Sequence, residues 1–316
     1  MHRLFLNLCL LAVLLTSCSP QATPLPAPEP TVTPIPKTFR IVAYATEAVI
    51  ESLIPYDKLT HINYSFIIPN NDGTFKPILN KSKLKTIVKN AHAQDVKVLI
   101  SVGGWGWDKQ FETVAADPSL RSVFVQNLKS FVDEYQLDGV DMDWEYPDAG
   151  ESSQNFLALM QELRSSMPDK LLSAAVVAYG DDHGLGIPSE SFAVMDYVVI
   201  MAYAGEDHGT NEQFDKSMAY WSARGLSSDK LVIGLPFYSE PSNVPFSKIV
   251  AENPAAAQAN TTEYLGVIEN YNCIPAIQAK TKFAMEHAGG VAFWALDHDA
   301  QGDLSLVNAI YQTANP

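Results

Sequence analysis

The chain has 316 residues, of which 47% are hydrophobic and 18% are charged. This apolar fraction is large enough to form a core, so a disordered or low-complexity protein is excluded. The 21 basic and 36 acidic residues give a formal net charge of −15. A negative surface repels phosphate groups, which argues against nucleic acid or an anionic membrane surface as the partner.

The first 19 residues have the composition of an export signal. Arg3 supplies a positive charge, and an apolar stretch of twelve residues, Leu4 to Leu15, follows it. That stretch is shorter than the ~20 residues of a membrane-spanning helix. Leu15-Thr16-Ser17-Cys18 resembles the lipobox of bacterial lipoproteins. We therefore expect residues 1–17 to be a signal peptide cleaved before an acylated Cys18; an ordinary signal peptide containing a cysteine is the alternative.

A proline-rich segment follows the signal. Seven prolines lie between Pro20 and Pro36 without apolar periodicity, which is typical of an extended spacer. We expect residues 18–37 to be a linker that precedes one domain, residues 38–316. The exported protein is expected to be anchored to the bacterial envelope through the lipid, or else to be extracellular. Cys273 is the one cysteine of that domain, so no disulfide bond can form within it.

Eight short apolar runs alternate with stretches of helical spacing in this domain. The runs are Arg40–Ala45, His61–Ile68, Val96–Gly103, Gly139–Glu145, Leu172–Ala178, Tyr197–Tyr203, Leu231–Tyr238 and Val291–Leu296. The clearest helical stretches are Ser82–Gln94, Leu120–Tyr135, Ser153–Met167, Glu212–Arg224, Ile274–His287 and Leu304–Tyr311. This alternation predicts an α/β fold, a closed (β/α)8 TIM barrel rather than an open doubly wound sheet, with short first and fifth helices.

The fourth run carries an unusual row of acids. Because side chains alternate along a strand, its apolar residues should face the helices and its acidic residues the inside of the barrel. The apolar set is Val140, Met142 and Trp144, and the acidic set is Asp141, Asp143 and Glu145. Steps of two residues separate these acids by ~6.5–7 Å. Carboxylates so close in a poorly solvated site cannot all ionise at neutral pH, which favours a role in acid–base catalysis.

A solvated loop and a metal site are the alternatives for this row. The intervening residues are apolar and suited to a strand, which disfavours a loop. None of the seven histidines falls in a metal-binding spacing such as His-Glu-x-x-His. Asp297-His298-Asp299 and Asp303 weakly resemble a calcium loop, but Asn308 stands where a bidentate glutamate is required. We therefore expect neither a metal nor a cofactor.

Asp138-x-x-Asp141-x-Asp143-x-Glu145 resembles the signature of the glycoside hydrolase family 18 chitinases, in which it ends the fourth barrel strand. Motifs in five further strands resemble the same family. They are Leu59-Thr60-His61-Ile62-Asn63-Tyr64-Ser65-Phe66, Ser101-Val102-Gly103-Gly104-Trp105, Met201-Ala202-Tyr203, Gly234-Leu235-Pro236-Phe237-Tyr238 and Gly289-Gly290-Val291-Ala292-Phe293-Trp294. The resemblance thus covers nearly the whole domain.

The resemblance implies retaining, substrate-assisted hydrolysis of β-1,4 bonds between N-acetylglucosamine units. Glu145 would protonate the glycosidic oxygen and later activate water. Asp143 would orient the 2-acetamido group, whose oxygen attacks the anomeric carbon, and Asp141 would share a proton with Asp143. Tyr203 would donate a hydrogen bond to that oxygen, and Trp294 would form the apolar floor under the reacting sugar.

The resemblance implies further supporting residues. Ser101 and Tyr44 match positions that hydrogen-bond the inner aspartates, while Asp138 is out of phase with the other acids and is interpreted as structural. Sugar contacts are expected from Tyr44, Phe66, Gly104, Trp105 and Met201. Since an isolated aromatic residue in a strand is more often part of the core, that is the alternative for the aromatic members of this set.

Two positions depart from the family pattern. Ala204 stands where the family usually has an aspartate that contacts the sugar, and Glu206 and Asp207 are the neighbouring acids that could replace it. Ser239-Glu240 stands where the family usually has Gly-Arg. Both departures suggest an altered substrate preference or a lower rate. The insertion that deepens the groove in many relatives is expected to be absent, which favours endo-cleavage.

The partner predicted from this resemblance is chitin or an N-acetylglucosamine oligosaccharide, bound by a monomer. One alternative is a non-catalytic chitin-binding lectin on the same fold. The other is an endo-β-N-acetylglucosaminidase that acts on N-glycans or peptidoglycan. Glu145 favours an enzyme, because a desolvated acid is costly to keep without a use.

Overall fold

The computed structural model describes residues 39–316, so the expectations for Cys18, residues 1–17 and residues 18–37 lie outside the described residues. Eight parallel strands form a closed barrel: β1 (Arg40–Thr46), β2 (His61–Ile67), β3 (Lys97–Gly103), β4 (Gly139–Asp143), β5 (Leu171–Val177), β6 (Tyr197–Met201), β7 (Leu231–Pro236) and β10 (Gly290–Trp294). A separate antiparallel hairpin consists of β8 (Thr261–Tyr264) and β9 (Val267–Asn270). The predicted TIM barrel is confirmed.

The helices surround the barrel. They are α1 (Lys81–His92), α2 (Asp108–Ala116), α3 (Pro118–Tyr135), α4 (Glu151–Ser166), α5 (Asp181–Gly184), α6 (Asn211–Ala223), α7 (Phe246–Glu252), α8 (Ile274–His287) and α9 (Leu306–Ala314). Two 3-10 turns stand in place of a helix after β1, and α5 has four residues, as expected for the first and fifth units. Within residues 39–316, none of the helices combines the length and the apolar character needed to cross a bilayer.

Local sequence signals explain where α2 ends and α3 begins. The side chain of Asp117 accepts hydrogen bonds from the backbone N–H groups of Ser119 and Leu120, and Pro118 occupies the first helical position. Both are typical of a helix start. The sequence did not predict α2, because its nine residues are too short for a clear apolar period.

The elements between β7 and β10 are α7, the β8–β9 hairpin and α8. They belong to the same compact unit as the barrel. No separate insertion domain therefore forms within the described chain. Neither α7 nor the hairpin was predicted from the sequence, because each is a short element without a sustained hydrophobic period.

The side chains of β4 and its extension alternate as predicted. Trp144 faces outward, where its ring stacks on Phe111 with centroids 5.2 Å apart and its Nε1 donates to Asp108 over 2.8 Å. The strand itself ends at Asp143, two residues earlier than expected, so Glu145 lies in the loop that follows. This places Glu145 at the mouth of the barrel, where parallel barrels carry their active sites.

Candidate active site

A cavity of about 650 Å³ opens at the carboxyl ends of the barrel strands. Acidic, aromatic and glycine residues form its wall together. The predicted residues that line it are Tyr44, Phe66, Gly104, Trp105, Asp143, Glu145, Met201, Tyr203 and Trp294. The structure therefore brings together residues from the first to the last strand of the barrel.

Asp141 lies below this cavity, fully buried between two neighbouring strands. The β-sheet register places it beside Ser101 of β3 and Ser173 of β5. Ser173 donates to Oδ1 over 2.6 Å, while Ser101 and Tyr44 donate to Oδ2 over 2.9 and 3.0 Å. Burial raises the pKa of Asp141, and these three hydroxyl groups oppose that shift because they favour the carboxylate. Ser173 was not predicted, since its contact depends on the register between β4 and β5.

Asp143 is buried next to the cavity and differs from Asp141 in its hydrogen bonding. Its Oδ1 has no hydrogen-bond partner among the described residues, and no hydrogen bond joins it to Asp141. The expected proton sharing between the two aspartates is thus not visible as a direct contact. Burial, together with the charges of Glu145 and Asp141, raises the pKa of Asp143 well above its ordinary value. Asp143 is therefore an unpartnered acid directed at whatever occupies the cavity.

Glu145 is half-buried in the cavity wall. Burial raises its pKa, and the hydroxyl of Tyr146 partly offsets this effect. A raised pKa keeps a carboxylic acid protonated closer to neutral pH, which a general acid needs. Tyr146 also stacks on His183, with ring centroids 4.8 Å apart. The sequence offered one signal for Tyr146, its position directly after Glu145.

Tyr203 follows β6 and directs its ring into the same cavity. Tyr203 lines the cavity, so its hydroxyl group is placed to donate a hydrogen bond to a ligand. Gly234 of β7 makes room for the ring, because a Cβ atom there would lie 2.8 Å from Cε1 of Tyr203. Burial and the charges of Asp143 and Glu145 raise the pKa of Tyr203 well above its ordinary value, which keeps this donor protonated.

An aromatic cluster closes one side of the cavity. The rings of Phe66 and Trp294 stack with centroids 5.5 Å apart and an interplanar angle of 19°, and Tyr44 lies 5.9 Å from Trp294. Apolar faces of this kind suit the C–H surface of a sugar ring. Trp294 is half-buried, which leaves part of its ring accessible from the cavity.

The end of β3 passes very close to the acidic strand. A Cβ atom at Gly103 would lie 2.5 Å from the backbone oxygen of Asp143, and one at Gly104 would lie 2.9 Å from the ring of Phe66. Both glycines also have positive φ angles, of 106° and 85°. Trp105 follows them and is 78% exposed at the rim of the cavity.

The loop after β6 carries the first departure from the family pattern. Ala204 lines the cavity with a φ of 66°, and its N–H donates to Nδ1 of His208 over 3.0 Å. Asp207 instead accepts hydrogen bonds from Tyr179 and from Gln213. Neither Asp207 nor Glu206 lines the cavity, so neither replaces the missing aspartate at the wall.

Glu240 carries the second departure and lines the cavity with Tyr238 and Asn243. Its backbone pairs with Asn270 at the end of the hairpin through two hydrogen bonds of 2.8 and 2.9 Å. Burial raises the pKa of Glu240, and the charge of Glu269 adds to this effect. The sequence identified Glu240 as unusual but did not place it at the cavity wall.

Asp138 lies at the opposite end of β4, away from the cavity. It accepts hydrogen bonds from the N–H of Val98 over 2.8 Å and from Lys97 over 3.2 Å, and it pairs with His92. Backbone and side-chain donors lower its pKa against the effect of burial. Its partners all lie outside the cavity wall, which agrees with a structural interpretation and places it away from the inner aspartates.

Candidate metal ligands do not cluster in the described part of the chain. No group of three or more His, Cys, Asp or Glu side chains there is arranged to hold a metal ion. Asp299, part of the weak calcium-like pattern, accepts from the hydroxyl of Ser305 over 2.6 Å and from the N–H of Leu306 over 2.7 Å at the start of α9. These bonds give Asp299 a helix-capping role.

Comparisons with known proteins agree with this geometry. The chain is 26% identical over 235 residues to Chitinase 1 of Aphanocladium album, covering 58% of this chain and 56% of that protein. It is 30% identical over 220 residues to a chitinase-like effector of Moniliophthora roreri, covering 59% and 54%. The chain therefore spans about half the length of these relatives.

Solved structures resemble the barrel over most of its length. A chitinase from Bacteroides thetaiotaomicron matches with a TM-score of 0.78 and 27% identity, covering 88% of this chain and 97% of that one. A chitinase from the chitin utilization locus of Flavobacterium johnsoniae matches with a TM-score of 0.77 and 26% identity, covering 88% and 94%. The family profile of glycosyl hydrolases family 18 matches residues 40–299. The chain therefore belongs to glycosyl hydrolases family 18.

Proposed function

We propose that this protein is a chitinase that hydrolyses β-1,4 bonds between N-acetylglucosamine units with retention of configuration. The observation that carries the proposal is the grouping of Glu145, Asp143 and Tyr203 around one aromatic-walled cavity. The names of the relatives, among them Chitinase 1 and two chitinases of known structure, support the same substrate class.

The proposed reaction uses each group for one task. Glu145 protonates the glycosidic oxygen, which its raised pKa favours. The acetamido oxygen of the substrate attacks the anomeric carbon and forms a cyclic oxazolinium ion. Asp143 and the hydroxyl of Tyr203 orient that acetamido group, since both residues line the cavity and Oδ1 of Asp143 has no protein partner among the described residues. Water activated by Glu145 then opens the ring and completes the hydrolysis.

Substrate assistance also decides the stereochemistry. An ordinary retaining glycosidase needs a second carboxylate ~5–5.5 Å from the acid as its nucleophile, and substrate-assisted enzymes are exempt from this rule. Asp143 need only polarise an amide in this scheme. We expect the β-anomer as the first product, measured by proton NMR within the first minutes; the α-anomer would contradict the proposal.

A non-catalytic lectin is the competing function. It would keep the cavity and its aromatic wall but would release no product. The deciding experiment incubates the protein and its Glu145→Gln variant with chitin tetramer and with an N-glycosylated protein. We expect hydrolysis of the tetramer by the wild type and a loss of about 10²- to 10⁴-fold in the variant. Binding without hydrolysis would favour the lectin, and cleavage of the glycoprotein alone would favour an endo-β-N-acetylglucosaminidase.

We further propose endo-cleavage and export with a lipid anchor at Cys18. The short elements between β7 and β10 support an open groove, and the residues around Cys18 support acylation. Release of mixed oligomers from a long chain would support endo-cleavage, whereas early release of disaccharide alone would refute it. Metabolic labelling with a fatty acid, lost on Cys18→Ala, tests the anchor.

A further inference from the structure

The cavity wall contains carboxyl groups and no basic side chain among the described residues. Asp143, Glu145 and Glu240 contribute three carboxyl groups to its wall, and within the described chain none of its lining residues is lysine, arginine or histidine. Lys76 reaches this wall only through the ring of Trp107, with Nζ 3.7 Å from the ring centroid. Among residues 39–316, no ion pair involves any of the three carboxyl groups. A carboxyl group that ionises in this wall therefore has no protein cation to neutralise it, which favours a ligand that carries positive charge.

Glu240 differs from the other two acids because the proposed reaction does not use it. Its backbone is held by Asn270, so the point from which its side chain enters the wall is fixed. Its charge and that of Glu145 both raise the pKa of Tyr238, which lies in the wall with them. Glu240 is thus near the reacting centre but separate from it.

A second carboxyl group, that of Glu269, lies behind this wall and repels a negative charge on Glu240. Glu269 is fully buried, and its Oε2 accepts from the hydroxyl of Ser239 over 2.7 Å. Its Oε1 has no hydrogen-bond partner among the described residues. The charge of Glu269 acts on Glu240 and makes ionisation of Glu240 less favourable. A cation in the cavity beside Glu240 would relieve this repulsion.

The proposed substrate class contains one natural source of such a cation. Loss of an acetyl group turns N-acetylglucosamine into glucosamine, whose 2-amino group carries a positive charge when protonated. The reacting sugar must keep its acetyl group, because the acetamido oxygen is the proposed nucleophile. The cationic sugar must therefore occupy a neighbouring position in the groove.

We propose that Glu240 binds the ammonium group of a glucosamine unit near the reacting sugar, so that the enzyme prefers partly deacetylated chitin to fully acetylated chitin. This inference rests on the proposed hydrolysis. It assigns Glu240 a specificity-determining role and leaves the catalytic steps to Asp143, Glu145 and Tyr203.

The test compares two substrates, a fully acetylated hexamer and a chitosan polymer that is about half acetylated. The full chain is compared with Glu240→Gln, which removes the charge and keeps the shape, and with Glu240→Arg, which reverses it. Glu263→Gln on the exposed face of β8 is the matched control, since Glu263 is a hairpin carboxylate outside the cavity. Mass spectrometry then determines the sugar at each position beside the cleaved bonds.

We expect glucosamine to be enriched about fivefold at one position in the products of the wild type and of Glu263→Gln. Glu240→Gln should abolish the enrichment and Glu240→Arg should exclude glucosamine there, while Glu263→Gln keeps the wild-type kcat/KM on the acetylated hexamer within about twofold. Enrichment that survives in Glu240→Gln would overturn the inference, as would random products from a wild type that cuts the hexamer. A wild type that cuts neither substrate would overturn the proposed hydrolysis as well.

Discussion

The hydroxyl group of Ser173 on β5 lies 2.6 Å from Oδ1 of Asp141 on the neighbouring strand β4. Asp141 is completely buried, and with Ser101 and Tyr44 on its other oxygen its charge is stabilised by three hydroxyl donors. Asp141 therefore lies below the cavity, held by hydroxyl donors from three different strands.

Ser173→Ala should destabilise the protein by about 1–3 kcal/mol, because it removes a donor to a buried acceptor. Urea unfolding at pH 7 measures this loss. Ser165→Ala is the control, since the hydroxyl of Ser165 bonds to the backbone oxygen of Gln161 on the exposed side of α4. Equal losses in the free energy of unfolding would show that the hydrogen bond to Asp141 stabilises the fold no more than an exposed hydrogen bond does.

Asp143→Asn should lower kcat by at least about 100-fold and yet stabilise the fold at neutral pH. The pKa of Asp143 is raised in the folded state, so folding opposes its ionisation. Below the ordinary aspartate pKa, the carboxyl group costs the wild type no stability. As pH rises through the raised pKa of the folded state, the wild type becomes less stable relative to the variant. The stability difference between variant and wild type should therefore grow from pH 3 to pH 7. Thermal unfolding across this range checks the sign, and a constant difference would contradict it.

Tyr146→Phe should move the alkaline limb of the kcat/KM profile to higher pH. The Tyr146 hydroxyl lowers the pKa of Glu145, so its removal leaves the effect of burial unopposed. Glu145 then stays protonated, and active as an acid, to a higher pH. Tyr179→Phe should leave the limb in place, because the hydroxyl of Tyr179 donates to Asp207 outside the cavity. A shift to lower pH in Tyr146→Phe would reverse this account.

Trp294→Ala should lower kcat/KM on chitin tetramer by about 10- to 100-fold. This loss corresponds to the roughly 1.5–3 kcal/mol gained when a large apolar side chain is covered. The variant also removes the stack on Phe66. Trp294→Phe keeps an aromatic face and should lose less than Trp294→Ala. Steady-state kinetics on the two variants separate loss of the aromatic surface from loss of the indole alone.

Ala204→Asp should extend activity to higher pH, because a new carboxylate in the cavity wall raises the pKa of Glu145. The backbone should accept the change, since aspartate and asparagine tolerate the positive φ found at Ala204 better than most residues. Ala204→Asn matches the shape without the charge and should leave the pH profile unchanged. The same profile in both variants would exclude an electrostatic effect at this position.

Local patterns were enough to predict the barrel and the direction of the acids. Alternation along β4 places Asp141 and Asp143 inward and Trp144 outward, because neighbouring side chains of a strand point to opposite faces. The short elements α2, α7 and the β8–β9 hairpin were missed, since they are too brief to show a period and depend on packing against the barrel.

The sequence by itself determined the fold, the family signature and the row Asp141, Asp143 and Glu145, because these depend on the order of residues along single strands. Only the tertiary structure decided that Asp141 is held by Ser173 while Asp143 has no partner, and that Glu240 stands in the cavity wall. These relationships join residues far apart in the chain. They depend on strand register and loop position, which exist only once the barrel has closed.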